Sequence, residues 1–289
     1  NFQVDPNALA EALVGASAVM ATHVFGAPCI PRQVESMARA AHVPLLFDAA
    51  HALGAACDGA PIGSFGALEV FSLTPTKVLV AGEGGLAVTN DGALAERLRI
   101  GRDYGNPGNY DTQFPGLNAR MSEFHAAMAL ESLDILDLSL LRRRQIAFRY
   151  RRGLDDLPGI RYQAMHLADD STFKDFTVAI DASRFGLTRD ELVQVLLAEG
   201  IETRNYFDPP VHRQQAYRHV PTTELAATDL LSASVVSLPI YPDLVDDEVD
   251  RIVEVVRMSH ECADERAAGL RASSRSGPLR PWLTQAGAG

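Results

Sequence analysis

Lysine is almost absent from this chain of 289 residues. Only two of its 26 basic side chains are lysines, Lys77 and Lys174, and the others are arginines. Arginine stays protonated in proteins, whereas a lysine amine can lose its proton and attack a carbonyl. Lys77 lies between an apolar strand and a glycine-rich turn in FSLTPTKVLVAGEGG, which makes it a candidate for chemistry. The alternative is a solvated loop lysine.

Cysteines and long apolar runs are also scarce. Cys29, Cys57 and Cys262 are odd in number, widely spaced and without a CxxC pair, so we expect no metal site and a reducing, cytoplasmic location. No apolar run approaches the roughly 20 residues that span a bilayer, and no signal peptide opens the chain. A net charge of −11 disfavours nucleic acid and anionic membranes, and we expect neither as a partner.

Apolar segments alternate with helical patterns along the first half of the chain. IPRQVESMARAA has apolar residues at helical spacing, and GALAERLRI predicts a helix after the turn residues Asn90 and Asp91. This order predicts an α/β sheet with helices on both faces. The predicted strands are ASAVMATHV, VPLLF, EVFSL and GLAVTN.

The second half of the chain predicts a smaller α/β domain. Residues 102–118 are too rich in Gly, Asn and Pro for regular structure, and one long helix is expected from Met121 to about Leu154. Further strands, among them IETRNYF, and two further helices follow. We therefore expect a large domain at 1–154, a small domain at 155–262 and a disordered tail at 263–289.

Three polar residues lie at or just after strand ends. Asp48 ends the apolar strand PLLFD, His51 follows three residues later, and Ser72 ends EVFS ahead of Lys77. Ligands of open α/β sheets collect at the carboxyl ends of strands. Asp48 has the alternative role of a helix cap, and His51 that of a hydrogen-bonded core histidine.

These residue types together meet the needs of pyridoxal 5'-phosphate (PLP). A strand-end carboxylate can keep the pyridine nitrogen protonated, a hydroxyl can bind the phosphate, and a lysine can hold the aldehyde as an imine. Asp48, Ser72 and Lys77 supply this set. The glycines of GEGGLA precede a strand rather than opening a helix, so they do not form a dinucleotide-binding motif.

Residues from about 3 to 258 resemble the DegT/StrS-type sugar aminotransferases, which are fold type I PLP-dependent transferases with a mostly parallel sheet flanked by helices. The resemblance implies that Lys77 forms the internal aldimine, Asp48 pairs with the pyridine nitrogen, His51 lies near the phenolic oxygen and Ser72 contacts the phosphate. The segments that carry it, all in the family's order, are VMATHVFGAPC, FDAAHALGA, PIGSFGALEVFSLTPTKVLVAGEGGLAVTND, GLNARMSEFHAAMALESLD, GIETRNYFDPPVH and SLPIYPDL.

The same resemblance implies a homodimer with shared active sites. Asn118 matches the family asparagine that reaches the phosphate bound by the neighbouring subunit, with helix capping as the alternative. Arg204, Tyr206 and His212 match the segment near the substrate entrance, although each has an alternative role in a strand or turn.

The implied activity is transfer of an amino group, from a donor such as glutamate, to a keto group of a nucleotide-linked sugar or related cyclic ketone. A dehydratase branch of the family has histidine in place of the lysine, so Lys77 disfavours it. Relatives carry a phosphate-gripping turn and a ring-stacking aromatic residue before the point that matches Asn1, so we expect the large domain to be N-terminally incomplete. The alternative function is that of a non-catalytic binding or regulatory protein that keeps the fold.

Overall fold

A computed structural model describes residues 2–263, and all but the first residue of the tail predicted at 263–289 lies outside them. The described chain forms two compact units. The first comprises the residues up to Arg149 together with Tyr162–Thr177 and Pro239–Asp246. The second comprises Tyr150–Arg161, Val178–Leu238 and the residues from Asp247. The domain boundaries predicted at 154 and 262 stay a prediction.

The first unit follows the predicted alternation of helices and strands. Two of its helices begin at residues that favour a helix start. Pro31 occupies the first turn of one helix, and Asp91 caps another by accepting from the N–H of Ala93 at 2.8 Å. Its elements are α1 (Pro6–Ala12), β1 (Val19–Thr22), α2 (Pro31–Ala40), β2 (Leu45–Asp48), β3 (Ala56–Cys57), β4 (Ala60–Pro61), β5 (Leu68–Ser72), β6 (Gly85–Val88), α3 (Gly92–Gly101), α4 (Glu123–Asp134) and α5 (Leu136–Leu154).

The main sheet of the first unit has the strand order β1-β2-β5-β6. Strands β1, β2 and β5 are parallel, with Thr22 opposite Asp48 and Asp48 opposite Val70, and β6 runs antiparallel to β5. Leu45 and Phe47 of β2 are buried in the core, while Asp48 at the end of the strand is half-buried. Because the three strands are parallel, their carboxyl ends meet at one edge of the sheet.

The predicted single helix from Met121 to Leu154 is wrong, because the chain forms two helices there. Ile135 has φ −104° and ψ 1°, which lies outside the helical region, and it separates α4 from α5. No residue of α4 is buried. Packing within this unit therefore does not stabilise α4 and α5 as one continuous helix.

The second unit contributes most of a three-stranded sheet made of β7 (Ile160–Tyr162), β8 (Phe176–Ile180) and β9 (Val235–Leu238), in that order. Every residue of the two apolar strands β8 and β9 is buried. The remaining elements are α6 (Ala182–Phe185), α7 (Arg189–Ala198), α8 (Ala226–Ser234) and α9 (Asp246–Glu261), with short 3₁₀ turns at Val24–Gly26 and Val211–Arg213.

The predicted strand IETRNYF is also wrong. Arg204 alone bridges to Ser237, and the N–H of Asp208 donates to the carbonyl of Asn205 at 2.9 Å. That bond closes a turn which takes the chain away from the sheet edge. Among residues 2–263, no helix is both long and apolar enough to cross a bilayer.

Candidate active site

Asp48 lies at the carboxyl edge of the main sheet, as its position at the end of β2 predicted. Its Oδ1 accepts from the N–H of Ala50 at 3.1 Å, which is the local turn bond expected of the capping alternative. Oδ2 makes no hydrogen bond within the described part of the chain. One oxygen therefore fixes the carboxylate, and the other remains available to a ligand at the strand edge.

Ser72 brings a hydroxyl to the same edge. Its Oγ lies 3.3 Å from Oγ1 of Thr74, and Ser72 is paired in register with Gly85 of β6. A Cβ at Gly85 would lie 2.7 Å from the carbonyl oxygen of Phe71, so only glycine allows β6 to approach there. The glycine-rich turn thus positions β6 next to two hydroxyl groups, and hydroxyls are suitable phosphate ligands.

Lys77 follows Ser72 on a short turn, in which its N–H donates to the carbonyl of Thr74 at 3.0 Å. Burial lowers the pKa of the half-buried Lys77 amine below its ordinary value of 10.5, and the charge of Lys174 lowers it further. Asp175 and Asp48 act in the opposite direction. The amine therefore loses its proton more readily than that of a solvated lysine, and the deprotonated amine is the nucleophile.

His51 lies on the turn after β2, and its side chain is 14% exposed. Burial lowers the pKa of its imidazole from 6.5 to about 3, and the charges of Lys77 and Lys174 add to the effect. The ring is therefore neutral at physiological pH. The effect of the Lys77 charge on this pKa indicates that His51 and Lys77 lie near each other in the first unit.

Sequence reasoning missed Lys174 and Asp175 as members of this site. Lys174 Nζ donates to Asp175 Oδ1 at 2.9 Å, and Asp175 Oδ2 lies 3.8 Å from Nδ1 of His51. The one available signal was that Lys174 is the only other lysine. Asp175 gave no signal, because its proximity to His51 is a tertiary contact.

Asn118 is exposed and bridges to Asp103 across the base of the predicted loop 102–118. The capping alternative for Asn118 is wrong, because Ser122 caps α4 by accepting from the N–H of His125 at 3.3 Å. The loop closes on its own backbone, with the N–H of Leu117 bonded to the carbonyl of Gly101 at 2.8 Å. The side chain of Asn118 is thus exposed to solvent on a loop whose ends are hydrogen-bonded to each other.

The three predicted substrate residues lie in the second unit and have local partners. Arg204 is exposed and pairs with Glu202 at 3.8 Å, and the ring of Tyr206 contacts that of Phe207. His212 Nε2 lies 2.9 Å from Asp229 Oδ1. Their role in substrate binding stays a prediction.

Comparison with known proteins gives consistent matches. The profile of the DegT/DnrJ/EryC1/StrS aminotransferase family matches residues 1–257. The dTDP-3-amino-3,4,6-trideoxy-alpha-D-glucose transaminase of Streptomyces venezuelae is 34% identical over 251 residues, which cover 86% of this chain and 65% of that protein. GDP-perosamine synthase of Caulobacter vibrioides is 32% identical over 240 residues, which cover 82% of this chain and 64% of that protein.

Solved structures agree. DesI, crystallised in the presence of its TDP-sugar product, superposes with a TM-score of 0.85 at 39% identity, over 94% of this chain and 69% of that one. These matches confirm the predicted fold class, a fold type I α/β transferase. The chain spans 64% to 69% of the length of the curated relatives it matches. It belongs to the DegT/DnrJ/EryC1/StrS aminotransferase family.

Proposed function

We propose that this chain is a PLP-dependent aminotransferase. It moves an amino group from a donor such as glutamate to a keto group of a nucleotide-linked sugar or related cyclic ketone. The observation that carries the proposal is the environment of Lys77. One of only two lysines lies beside the strand edge formed by Asp48 and Ser72, with its pKa lowered by burial and by Lys174.

The residues at the strand edge fit PLP by their chemistry. Asp48 offers a protonated pyridine nitrogen an oxygen that has no hydrogen-bond partner among residues 2–263, and the paired hydroxyls of Ser72 and Thr74 suit a phosphate. His51 presents a neutral imidazole to a phenolic oxygen, and Lys77 presents an amine to an aldehyde. This set of groups suits PLP.

Lys77 moves the proton in the proposed reaction. Its amine would hold the aldehyde of the cofactor and, once released, would take a proton from the substrate carbon, a role that its lowered pKa favours. Asp48 would keep a positive charge on the ring nitrogen by accepting a hydrogen bond from the N–H of the protonated ring. PLP, when bound, supplies a ring that accepts the electron pair left by that proton.

The substrate class rests on the family and its members. The relatives named above are a dTDP-sugar transaminase, a GDP-perosamine synthase and DesI with its TDP-sugar product. The second unit also holds a cavity of about 660 Å³, lined by Arg213, Arg218 and His212 among others. Asp229 also lines this cavity and accepts from Arg213 with both carboxylate oxygens. The guanidinium of Arg218 is therefore the group there that suits the diphosphate of a nucleotide-linked sugar.

The direct test is transfer of nitrogen from glutamate labelled with nitrogen-15. Incubation with PLP and a panel of dTDP- and GDP-linked keto sugars is expected to yield a nucleotide-linked amino sugar that carries the label. Mass spectrometry of the nucleotide-sugar fraction detects it. Binding of the sugars without any labelled product would favour the non-catalytic binding protein instead.

A homodimer with shared sites is the proposed assembly. Apolar side chains of α4 and α5 are exposed, among them Phe124 at 86% and Leu138 at 69%. Exposed apolar surface on this scale marks an interaction site, and a second copy of the chain is the partner implied by the family. Asn118 lies on the loop that precedes α4 in the sequence.

The three free cysteines support the expected cytoplasmic location.

Asn118→Ala and Lys77→Ala are expected to complement each other if Asn118 serves the partner's site. Each homodimer is inactive, but a mixed dimer has one site with both lesions and one site with neither. Subunit exchange should therefore return activity to about half of the wild-type value per mixed dimer. Mass spectrometry under native conditions verifies the exchange. Verified exchange without recovered activity would show that Asn118 serves its own subunit.

A further inference from the structure

Thr172 to Asp175, called here the 172–175 segment, contacts the turn that carries His51. Thr172 Oγ1 donates to the main-chain carbonyl of His51 at 2.7 Å, and the N–H of Thr172 donates to the carbonyl of Gly26 at 3.1 Å. A Cβ on Gly26 would lie 1.9 Å from Thr172 Oγ1. Glycine at position 26 thus allows the segment to approach His51 directly.

The side chains of Lys174 and Asp175 form a buried ion pair within this segment. They are 7% and 9% exposed, and Lys174 Nζ donates to Asp175 Oδ1 at 2.9 Å. Asp175 Oδ2 is buried and has no hydrogen-bond partner in the described part of the chain. His51 Nδ1 lies 3.8 Å from that oxygen. A buried acceptor without a partner is costly, so a donor is expected for it.

The backbone of the segment is held in an uncommon conformation. Phe173 has φ 45°, which lies in the left-handed region that disfavours residues with a Cβ. The buried guanidinium of Arg143 donates to the carbonyls of Phe173 and Lys174 at 3.2 and 3.3 Å, and to that of Ile240 at 3.0 Å. Strained backbone persists where its surroundings enforce it, and it clusters at functional sites.

We propose that Asp175 is a positioning residue for His51, with its Oδ2 accepting a hydrogen bond from Nδ1–H of the imidazole while Lys174 holds the carboxylate in place. The contact reaches ordinary hydrogen-bond distance if it closes by roughly 1 Å. Hydrogen bonds in ligand-free active sites are often long and tighten when a ligand binds. Lys174 neutralises the carboxylate, so the buried charge on Asp175 does not need a proton from His51.

The consequence for the site is a fixed tautomer of His51. The ring carries a single proton at neutral pH, because the pKa of His51 is lowered to about 3. A proton held on Nδ1 by Asp175 leaves Nε2 as a hydrogen-bond acceptor. This step rests on the proposed function: a phenolic hydroxyl of bound PLP then meets an acceptor nitrogen with a set orientation.

The tautomer is tested by NMR of protein labelled with nitrogen-15 in its histidine rings, in the full chain with and without PLP. The His51 signals are assigned by their loss in His51→Gln. In the wild type the protonated nitrogen is expected to be Nδ1. In Asp175→Asn the proton is expected to shift towards Nε2, because the side-chain amide can turn its NH₂ to the ring. Asp170→Asn, which changes an exposed carboxylate five positions earlier in the sequence, should leave the spectrum as in the wild type.

A wild-type spectrum with the proton on Nε2 overturns the proposal, even if no variant folds. An unchanged Nδ1 tautomer in Asp175→Asn and in Lys174→Met/Asp175→Leu also overturns it. The double variant removes both charges and leaves neither unpaired, so its effect is not that of an isolated buried ion. The spectrum does not depend on amino transfer: a wrong tautomer leaves the proposed function intact, and absent transfer with the expected tautomer leaves the positioning role intact.

Discussion

Lys77→Arg is expected to reduce amino transfer by about 10⁴-fold, the upper end of what one acid–base group contributes. Arginine keeps the positive charge and much of the length of lysine, but it stays protonated at neutral pH. It can therefore neither hold an aldehyde nor take a proton from a substrate carbon. Nitrogen-15 transfer from glutamate, measured over a long incubation, gives the residual rate.

Lys77→Ala removes both the amine and the charge of the side chain, and it leaves space for an added amine. A small primary amine such as methylamine is expected to restore part of the rate, because it can enter the vacated space and take the proton. The same addition should not restore Lys77→Arg, in which the guanidinium still fills the site. A Lys77→Arg rate within about tenfold of the wild type would contradict the proton-transfer role of Lys77.

Asp48→Asn is expected to slow amino transfer by about 100-fold, since a hydrogen bond to a charged group contributes roughly 1.5–3 kcal/mol. The amide cannot hold a positive charge on the ring nitrogen as the carboxylate does. The fold should be preserved, because asparagine has similar volume and can still accept from the N–H of Ala50. The rate of transfer and the urea midpoint of unfolding are the two measurements.

Asp91→Asn is the matched control for that change. Asp91 also accepts backbone N–H bonds with one carboxylate oxygen, from Ala93 at 2.8 Å and Leu94 at 3.1 Å, but it lies at the start of α3. Asparagine and aspartate cap helices about equally well, so neither activity nor stability should change much. Equal rates in both variants would mean that Asp48 serves only its local turn.

The positions of Asp48 and Ser72 at the edge of the main sheet were predictable because both residues end strands in the sequence. PLLFD and EVFS predict strands that end in a carboxylate and a hydroxyl, and parallel strands bring their carboxyl ends together. The capping residue Asp91 likewise marks the start of α3. These features are local in the sequence and follow from hydrophobic patterning and capping.

Two of the features that escaped prediction are local breaks in a regular pattern, and the third is a contact between distant residues. Ile135 interrupts a continuous helical pattern, and the segment IETRNYF leaves its strand-like pattern because a turn closes between Asn205 and Asp208. The approach of Asp175 to His51 joins a residue just ahead of β8 to the turn after β2. Spacing along the chain carries no information about such contacts.

Borohydride reduction of the PLP-loaded protein tests directly whether Lys77 holds the cofactor, because it converts the imine between cofactor and lysine into a stable amine. Peptide mass mapping then has only two candidate lysine side chains, Lys77 and Lys174. We expect the pyridoxyl label on Lys77, the lysine whose pKa is lowered by burial. A label found mainly on Lys174 would show that Lys77 does not hold the cofactor.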